Sequence, residues 1–426
     1  MRNSSARGTA DEPRSKNARV KLLFVNRFYW PETPATGQLL TDLAEGLAAR
    51  GHEVTVITAL HRDDVSGEEV REKVLIRRVC ATPRIKPLAF ALFHLAALRA
   101  IRRLAERDTV VIVMTDPPLI GVTAGWAAAS RRASCIQWIQ DIYPEIAVRL
   151  TRHRWLSVLS GPRNAFWCRA DRCVTLGADM AAVVRKSGVN PERVVLQSNW
   201  GPAGVKSLPR DTDSPLRRAW GLSGKFVVAY SGNFGRVHDL EPLLDLAELL
   251  RDESDFAFVF VGSGAGEKEL RLRAQRGGLR NVSFQPSVPR GQLSESLAVA
   301  DLHAVTLLPG CENLVFPSKL YGVAAAGRPV LFIGPAGCEI ARVVATEDLG
   351  ISVTRDSLAD AASCVRAIAA DPAKWERHAA AAQEFSRRHS PASAIDAWDR
   401  LLTDLQTEAP ESERTLPDAS ATGSFR

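Results

Sequence analysis

Apolar positions along this chain alternate between two patterns from residue 20 to about residue 402. Short runs of β-branched and apolar residues at 20–25, 54–57, 74–79, 110–114, 133–139 and 172–175 read as buried parallel strands. Between them apolar residues recur at helical spacing, as Leu39, Leu40, Leu43 and Leu47 do ahead of Gly51. A second series follows at 226–230, 256–261, 282–285, 302–307, 330–333 and 350–353. Strands and helices alternating in this way predict parallel sheets with right-handed crossovers, here twice over. The stretch "GPAGVKSLPRDTDSP" from Gly201 separates the two series and has the Pro, Gly and charge content of a linker. The expected fold class is α/β: two facing Rossmann-like parallel-sheet domains with a central cleft. One domain is expected over 20–203, a linker over 204–216, and a second domain over 217–390. A C-terminal helix over 391–406 is expected to pack back toward the first domain. Residues 1–19 and 407–426, polar and aperiodic, read as disordered tails.

Composition narrows the class. A chain of 426 residues is too long for one core, and its 46% hydrophobic and 24% charged residues are ordinary globular values. The net charge of +7 comes mostly from scattered arginines, which suits anionic substrates or an anionic membrane surface but forms no nucleic-acid stripe. The 7 cysteines have no metal spacing, and an odd number argues against a complete disulfide framework. No secretory apolar segment follows Met1, and no apolar run has bilayer length. The expectation is a cytoplasmic protein with reduced thiols.

Candidate chemistry sits where strands end. In "PETPATGQ" a loop interrupts the first strand–helix path at the edge where open α/β sheets bind ligands. Gly37 is expected just before a helix starting near Gln38, where a side chain would block the approach of a phosphate. "YSGNFGRVHDL" places Gly232, Gly235 and Arg236 after a strand. Glycines let backbone approach phosphate, and a guanidinium binds its oxygens bidentately. The same residues also suit a plain strand–helix turn with a solvated arginine. In "VFPSKLYGVAAAGRPV", Pro317 ends the preceding ladder, a helix N-terminus is expected at Ser318, and Lys319 adds a full charge there. "FVFVGSGAGEKELR" puts Gly262 and Gly264 at a strand end, while Glu267 and Glu269 read as ordinary acids of a helix start. Asp116, Asp141 and Glu145 are acids at strand ends of the first domain. The "DTD" from Asp211 lies in the linker, so no metal-binding loop is expected.

Taken in order, these stretches resemble the retaining GT-B glycosyltransferases of family 4, and within them the WcaI/WbuB-like branch of bacterial exopolysaccharide and O-antigen biosynthesis. The likeness runs from about residue 20 to about residue 402. It implies an acceptor-side first domain and a nucleotide-sugar-binding second domain. It implies a metal-independent, retaining transfer with no cofactor, from a nucleotide-diphosphate sugar to a saccharide or polyprenyl-diphosphate-linked acceptor. It implies that Gly37, Gly232, Arg236, Ser318 and Lys319 face the donor diphosphate. Gly262 would wall the nucleotide pocket, and Val288, in "QPSV", would border the base. Asp141 would line the reaction centre, and Glu312 would take the role of binding sugar hydroxyls. The chain departs from the family pattern in three places. Asn233 follows the first glycine where an arginine is usual, and His238 or Asp239 falls where a lysine is usual. Gly322 stands where a second glutamate is expected, which leaves the ribose contact unassigned.

The segment "PRIKPLAFALFHLAALRAIRRLAERD" has an apolar side and Arg99, Arg102 and Arg103 near its end. It reads either as a peripheral contact with the inner face of the plasma membrane or as a core helix whose arginines complement its dipole. Two other functions fit the architecture: a nucleotide-sugar 2-epimerase, and a GT-B scaffold that has lost catalysis.

Overall fold

The computed structural model describes residues 19–32, 34–60, 67–80 and 85–407. The expected tails lie outside the described residues except for Arg19 and Thr407. Eight strands form the first sheet: β1 Lys21–Val25, β2 Glu53–Thr58, β3 Glu68–Arg71, β4 Val74–Arg78, β5 Thr109–Val113, β6 Ser134–Ile139, β7 Arg172–Thr175 and β8 Val194–Leu196. Their order is β3-β4-β2-β1-β5-β6-β7-β8, parallel except for the β3–β4 hairpin. The second sheet has six parallel strands: β9 Phe226–Ser231, β10 Phe256–Val261, β11 Val282–Gln285, β12 Leu302–Thr306, β13 Val330–Ile333 and β14 Gly350–Val353. Their order is β11-β10-β9-β12-β13-β14. In β5, β6 and β10 every residue is buried, as in parallel strands covered by helices on both faces. Chain order reverses direction beside β1 and beside β9, so the loops after these strands open at the switch points where α/β sheets bind ligands.

Each sheet has buried apolar clusters of its own, and a further cluster spans the two. One apolar cluster joins Ile139, Ile142 and Ile146 of the first domain to Leu314, Val315, Phe316 and Leu320 of the second. The backbone of Asp141 makes an isolated antiparallel bridge with Val315, and the Ile142 N–H donates to the Leu314 carbonyl at 2.8 Å. The last helix, Pro391–Thr407, lies on the first domain. Trp398 packs edge-on against Trp138 with centroids 5.0 Å apart, and Asp399 accepts from His52 Nε2 at 2.9 Å and from Arg50 at 3.0 Å. Residues 201–213 have no helix or strand and run along the second domain. There, buried Arg328 donates to the Leu208 carbonyl at 2.9 Å, and Arg210 pairs with buried Asp301 at 2.7 Å.

One local expectation is corrected. The helix after β1 is Ala35–Ala49, so it begins before Gln38. Gly37 lies inside its first turn and is buried, with its N–H donated to the Pro34 carbonyl at 2.9 Å. A Cβ at position 37 would come within 3.1 Å of Phe28 Cβ. The absent side chain makes room for the segment Phe28–Tyr29, and this N–H already has a partner.

Candidate active site

The second domain supplies two loops that lock into each other. At the end of β9, Gly232 has φ +139°, and at the end of β10, Gly262 has φ +133°. Side chains rarely adopt such angles. A Cβ on Gly262 would collide with the Gly232 carbonyl oxygen, so that glycine serves the contact between the loops. Phe234 N–H donates to the Ser263 carbonyl at 2.9 Å, and Gly266 N–H donates back to Phe234 at 3.1 Å. Gly262 N–H reaches the Gln285 carbonyl at 3.0 Å, which places the start of the 285–288 stretch, and so the approach to Val288, beside the same ledge.

Lys319 lies across this ledge. A Cβ on Gly232 would sit 2.5 Å from Lys319 Cε, so the lysine stem occupies the space the glycine leaves. Its ammonium is 2.9 Å from His238 Nε2 and 5.3 Å from the Tyr230 ring centroid. No carboxylate pairs with Lys319 among the described residues, and burial lowers its pKa to about 8. Burial first, and then the neighbouring ammonium, lower the His238 pKa to about 3, so this imidazole is neutral. Ser318 is the N-cap of the helix Lys319–Ala325, but its side chain makes no capping hydrogen bond. Arg236 stands exposed on the β9 loop with no hydrogen bond or ion pair among the described residues.

The segment ahead of Lys319 is held from the other domain. Arg149 donates to the Pro309 carbonyl through Nε at 3.0 Å and Nη2 at 2.7 Å. Glu312 turns its carboxylate back on this loop and accepts from Gly310 N–H at 2.9 Å. The bridge between Asp141 and Val315 then sets the first domain's acid against the loop carrying Glu312 and Ser318. Asp141 N–H donates to Thr115 Oγ1 at 3.2 Å. Burial, and next the charge of Asp116, push the Asp141 carboxyl up to about 7, whereas Asp116 itself is gripped by Arg27 at 2.6 Å.

Asp141, Glu312, Ser318, Lys319, Gly232 and Gly262 are therefore joined through direct contacts or short stretches of chain. Gly37 is not among these contacts; it packs on Phe28. At Gly322 the nearest neighbour of an added Cβ would be Pro202 Cδ at 3.6 Å, so this position faces the linker side. Two residues that hold the site went unassigned in the sequence: Arg149, and His238 as the partner of Lys319. Only the departure from the family's lysine marked His238, and nothing in the sequence marks Arg149.

Comparisons with known proteins match both domains. Residues 36–200 match the glycosyl transferase 4-like domain, and residues 214–385 match the glycosyl transferases group 1 domain. The chain is a two-domain glycosyltransferase with the GT-B fold. Over 399 residues it is 26% identical to an Escherichia coli K12 protein named as the colanic acid biosynthesis glycosyl transferase WcaI, covering 87% of this chain and 96% of that one. A second relative, named as the Pseudomonas aeruginosa glycosyltransferase WbjE, is 29% identical over 259 residues, 58% of this chain and 62% of its own length. Among solved structures, Anabaena HepE in complex with UDP superposes with a TM-score of 0.69 at 17% identity, over 90% of this chain and all of that one.

Proposed function

We propose that this glycosyltransferase moves a sugar, with retention and without a metal ion, from a nucleotide-diphosphate donor to a saccharide or polyprenyl-diphosphate-linked acceptor in bacterial cell-surface polysaccharide biosynthesis. The observation that carries the reading is Lys319, a partly buried cation on a glycine ledge with no carboxylate beside it among the described residues. A buried charge without a counter-ion is costly, and a diphosphate would supply one. In the reaction the bond from the sugar's anomeric carbon to the phosphate oxygen breaks. A bond to the acceptor oxygen forms on the same face, and the acceptor proton passes to the departing phosphate. Lys319, Ser318 and Arg236 meet the growing charge, Gly232 and Gly262 shape the ledge, and Val288 borders the base. Glu312 and Asp141 bind hydroxyls at the reaction centre, and Gly37 sets the position of the first domain's loop. Two names support the substrate class: that of WcaI includes colanic acid biosynthesis, and the HepE structures contain UDP and UDP-glucose.

The acceptor would reach the enzyme at the cytoplasmic face of the inner membrane. The helix Lys86–Leu104 buries Ala89, Phe93, Ala97 and Ile101 but exposes Leu88, Leu92 and Leu95, so its two faces serve different ends. Arg99 and Arg103 continue the exposed face and, with Arg77, line a cavity of about 250 Å³. Basic side chains beside exposed leucines suit an anionic lipid surface.

The test is a melting screen with UDP-, GDP- and dTDP-sugars, followed by product analysis with and without a lipid-linked acceptor. A donor at about 100 times its Kd should stabilise by about 2.7 kcal/mol. Product formation only with acceptor, surviving EDTA, supports the reading. An epimerised nucleotide sugar without acceptor, or binding with no transfer to any acceptor, would overturn it.

A further inference from the structure

His238 makes two contacts that fix its chemistry. Its Nδ1 lies 3.2 Å from the Thr306 carbonyl oxygen, which can only accept, so Nδ1 carries the proton. The neutral ring therefore leaves a bare lone pair on Nε2, and that atom faces Lys319 Nζ at 2.9 Å, with the ammonium donating. Thr306 closes β12, a central strand of the second sheet, so the imidazole stands on rigid backbone. The lysine is thus held on three sides: by His238 at its tip, by the Tyr230 ring, and along its stem by Gly232. An unrestrained lysine has rotamer entropy to lose on gripping a ligand.

We propose that His238 is a positioning residue, a neutral acceptor anchored on Thr306 that aims the Lys319 ammonium across Gly232 at the diphosphate of the donor. This rests on the reading that Lys319 meets that diphosphate. His238 itself gives no charge to the ligand; it acts through the lysine. A glutamine in its place can reach Lys319 with a carbonyl oxygen, whereas an asparagine reproduces only the position of Nδ1 and stops short.

The experiment measures the dissociation constant of the nucleoside diphosphate, among UDP, GDP and dTDP, that binds the full-length wild type most tightly. His238→Leu should weaken binding about ten-fold, the scale of one charge-assisted hydrogen bond. His238→Gln should bind within about three-fold of wild type and His238→Asn should behave like the leucine variant. In a Lys319→Ala background, His238→Leu should add nothing, because coupled residues are not additive. Equal weakening by His238→Leu in both backgrounds, or a glutamine variant no better than leucine, would overturn the positioning role while leaving the donor site in place. Unimpaired binding by Lys319→Ala alone would overturn both. Melting temperatures of all variants check that the fold is kept.

Discussion

A lysine and an aspartate in this site both hold unfavourable charges, and their signs make different predictions. Lys319 is lowered by burial from 10.5 to about 8, so its ammonium opposes folding below about pH 8, and that cost fades as the pH rises toward 10.5. Under the proposed function, the donor diphosphate supplies the missing counter-charge. Affinity for the nucleoside diphosphate should therefore be full near pH 7 and fall as the pH rises through about 8 and above. Lys319→Ala should weaken binding about ten- to a hundred-fold and abolish this alkaline limb, and Lys319→Arg should move the limb beyond the measurable range. A wild-type affinity that is flat through that range would contradict the assignment. Asp141 is raised by burial from 3.8 to about 7, so ionisation costs stability, and the cost grows as the pH rises from about 4 to above 7. Asp141→Asn removes that cost. It should stabilise the protein by on the order of 1 kcal/mol at alkaline pH, have little effect below about pH 4, and depress transfer. A melting temperature lowered at every pH would show that the carboxylate is a structural anchor instead.

At the scale of elements, the strand series was legible because parallel strands covered on both faces are mostly apolar, as 256–261 is throughout, 109–113 is after Thr109, and 134–139 is apart from Ser134 and Gln137. Two edge strands escaped. β3, "EEVR", is largely exposed and polar, and its turn to β4 runs through Glu72 and Lys73 at φ +47° and +65°, without the Asn-Gly or Asp-Gly signal of such turns. β8 is only three residues long. Within the site, the glycine loops and the Pro-Ser-Lys stretch could be read from spacing and family likeness. What those glycines make room for could not, because a lysine stem from 87 residues away fills the space beside Gly232 (319 − 232). The same limit hid the setting of Gly37, which lies inside the first turn of its helix against Phe28. Gly37→Val should therefore be destabilising by about 1–3 kcal/mol, the usual cost of overpacking, and its activity loss should track its unfolding. Thermal melts beside specific activity separate the cases. A valine variant of native stability and low activity would return this turn to the reaction centre. The helix Pro391–Thr407 gives a simpler test, since Trp398 is fully buried against Trp138. Trp398→Ala should cost about 3–5 kcal/mol and unfold the first domain more readily than the second.

At the scale of the whole molecule, the two domains hold each other by exchanging helix caps. Glu339 begins a helix of the second domain and reaches the first, where its carboxylate accepts from the N–H groups of Ala178 at 2.7 Å and Asp179 at 3.0 Å. Asp179 begins a helix of the first domain and accepts from Glu339 N–H at 2.8 Å, while also pairing with Arg342 at 2.6 Å. Each acid thus satisfies orphan donors, and complements the dipole, of the opposite domain's helix. Removing a cap costs about 0.5–2 kcal/mol, so the pair stabilises the closed arrangement by a few kcal/mol at most. The bridge between Asp141 and Val315 and the apolar cluster behind it remain when the caps are lost. The domains should then loosen about that bridge rather than separate. Because the loop carrying Lys319 belongs to one domain and Asp141 to the other, the proposed function has loosening slow transfer more than it weakens binding of a nucleoside diphosphate, which that proposal assigns to the second domain's ledge. The double variant Glu339→Ala, Asp179→Ala should show a larger radius of gyration in solution scattering. It should also show a kcat reduced several-fold and a nucleoside diphosphate affinity within about two-fold of wild type. Unchanged scattering together with unchanged kcat would mean that the backbone bridge and the apolar cluster alone hold the domains in register.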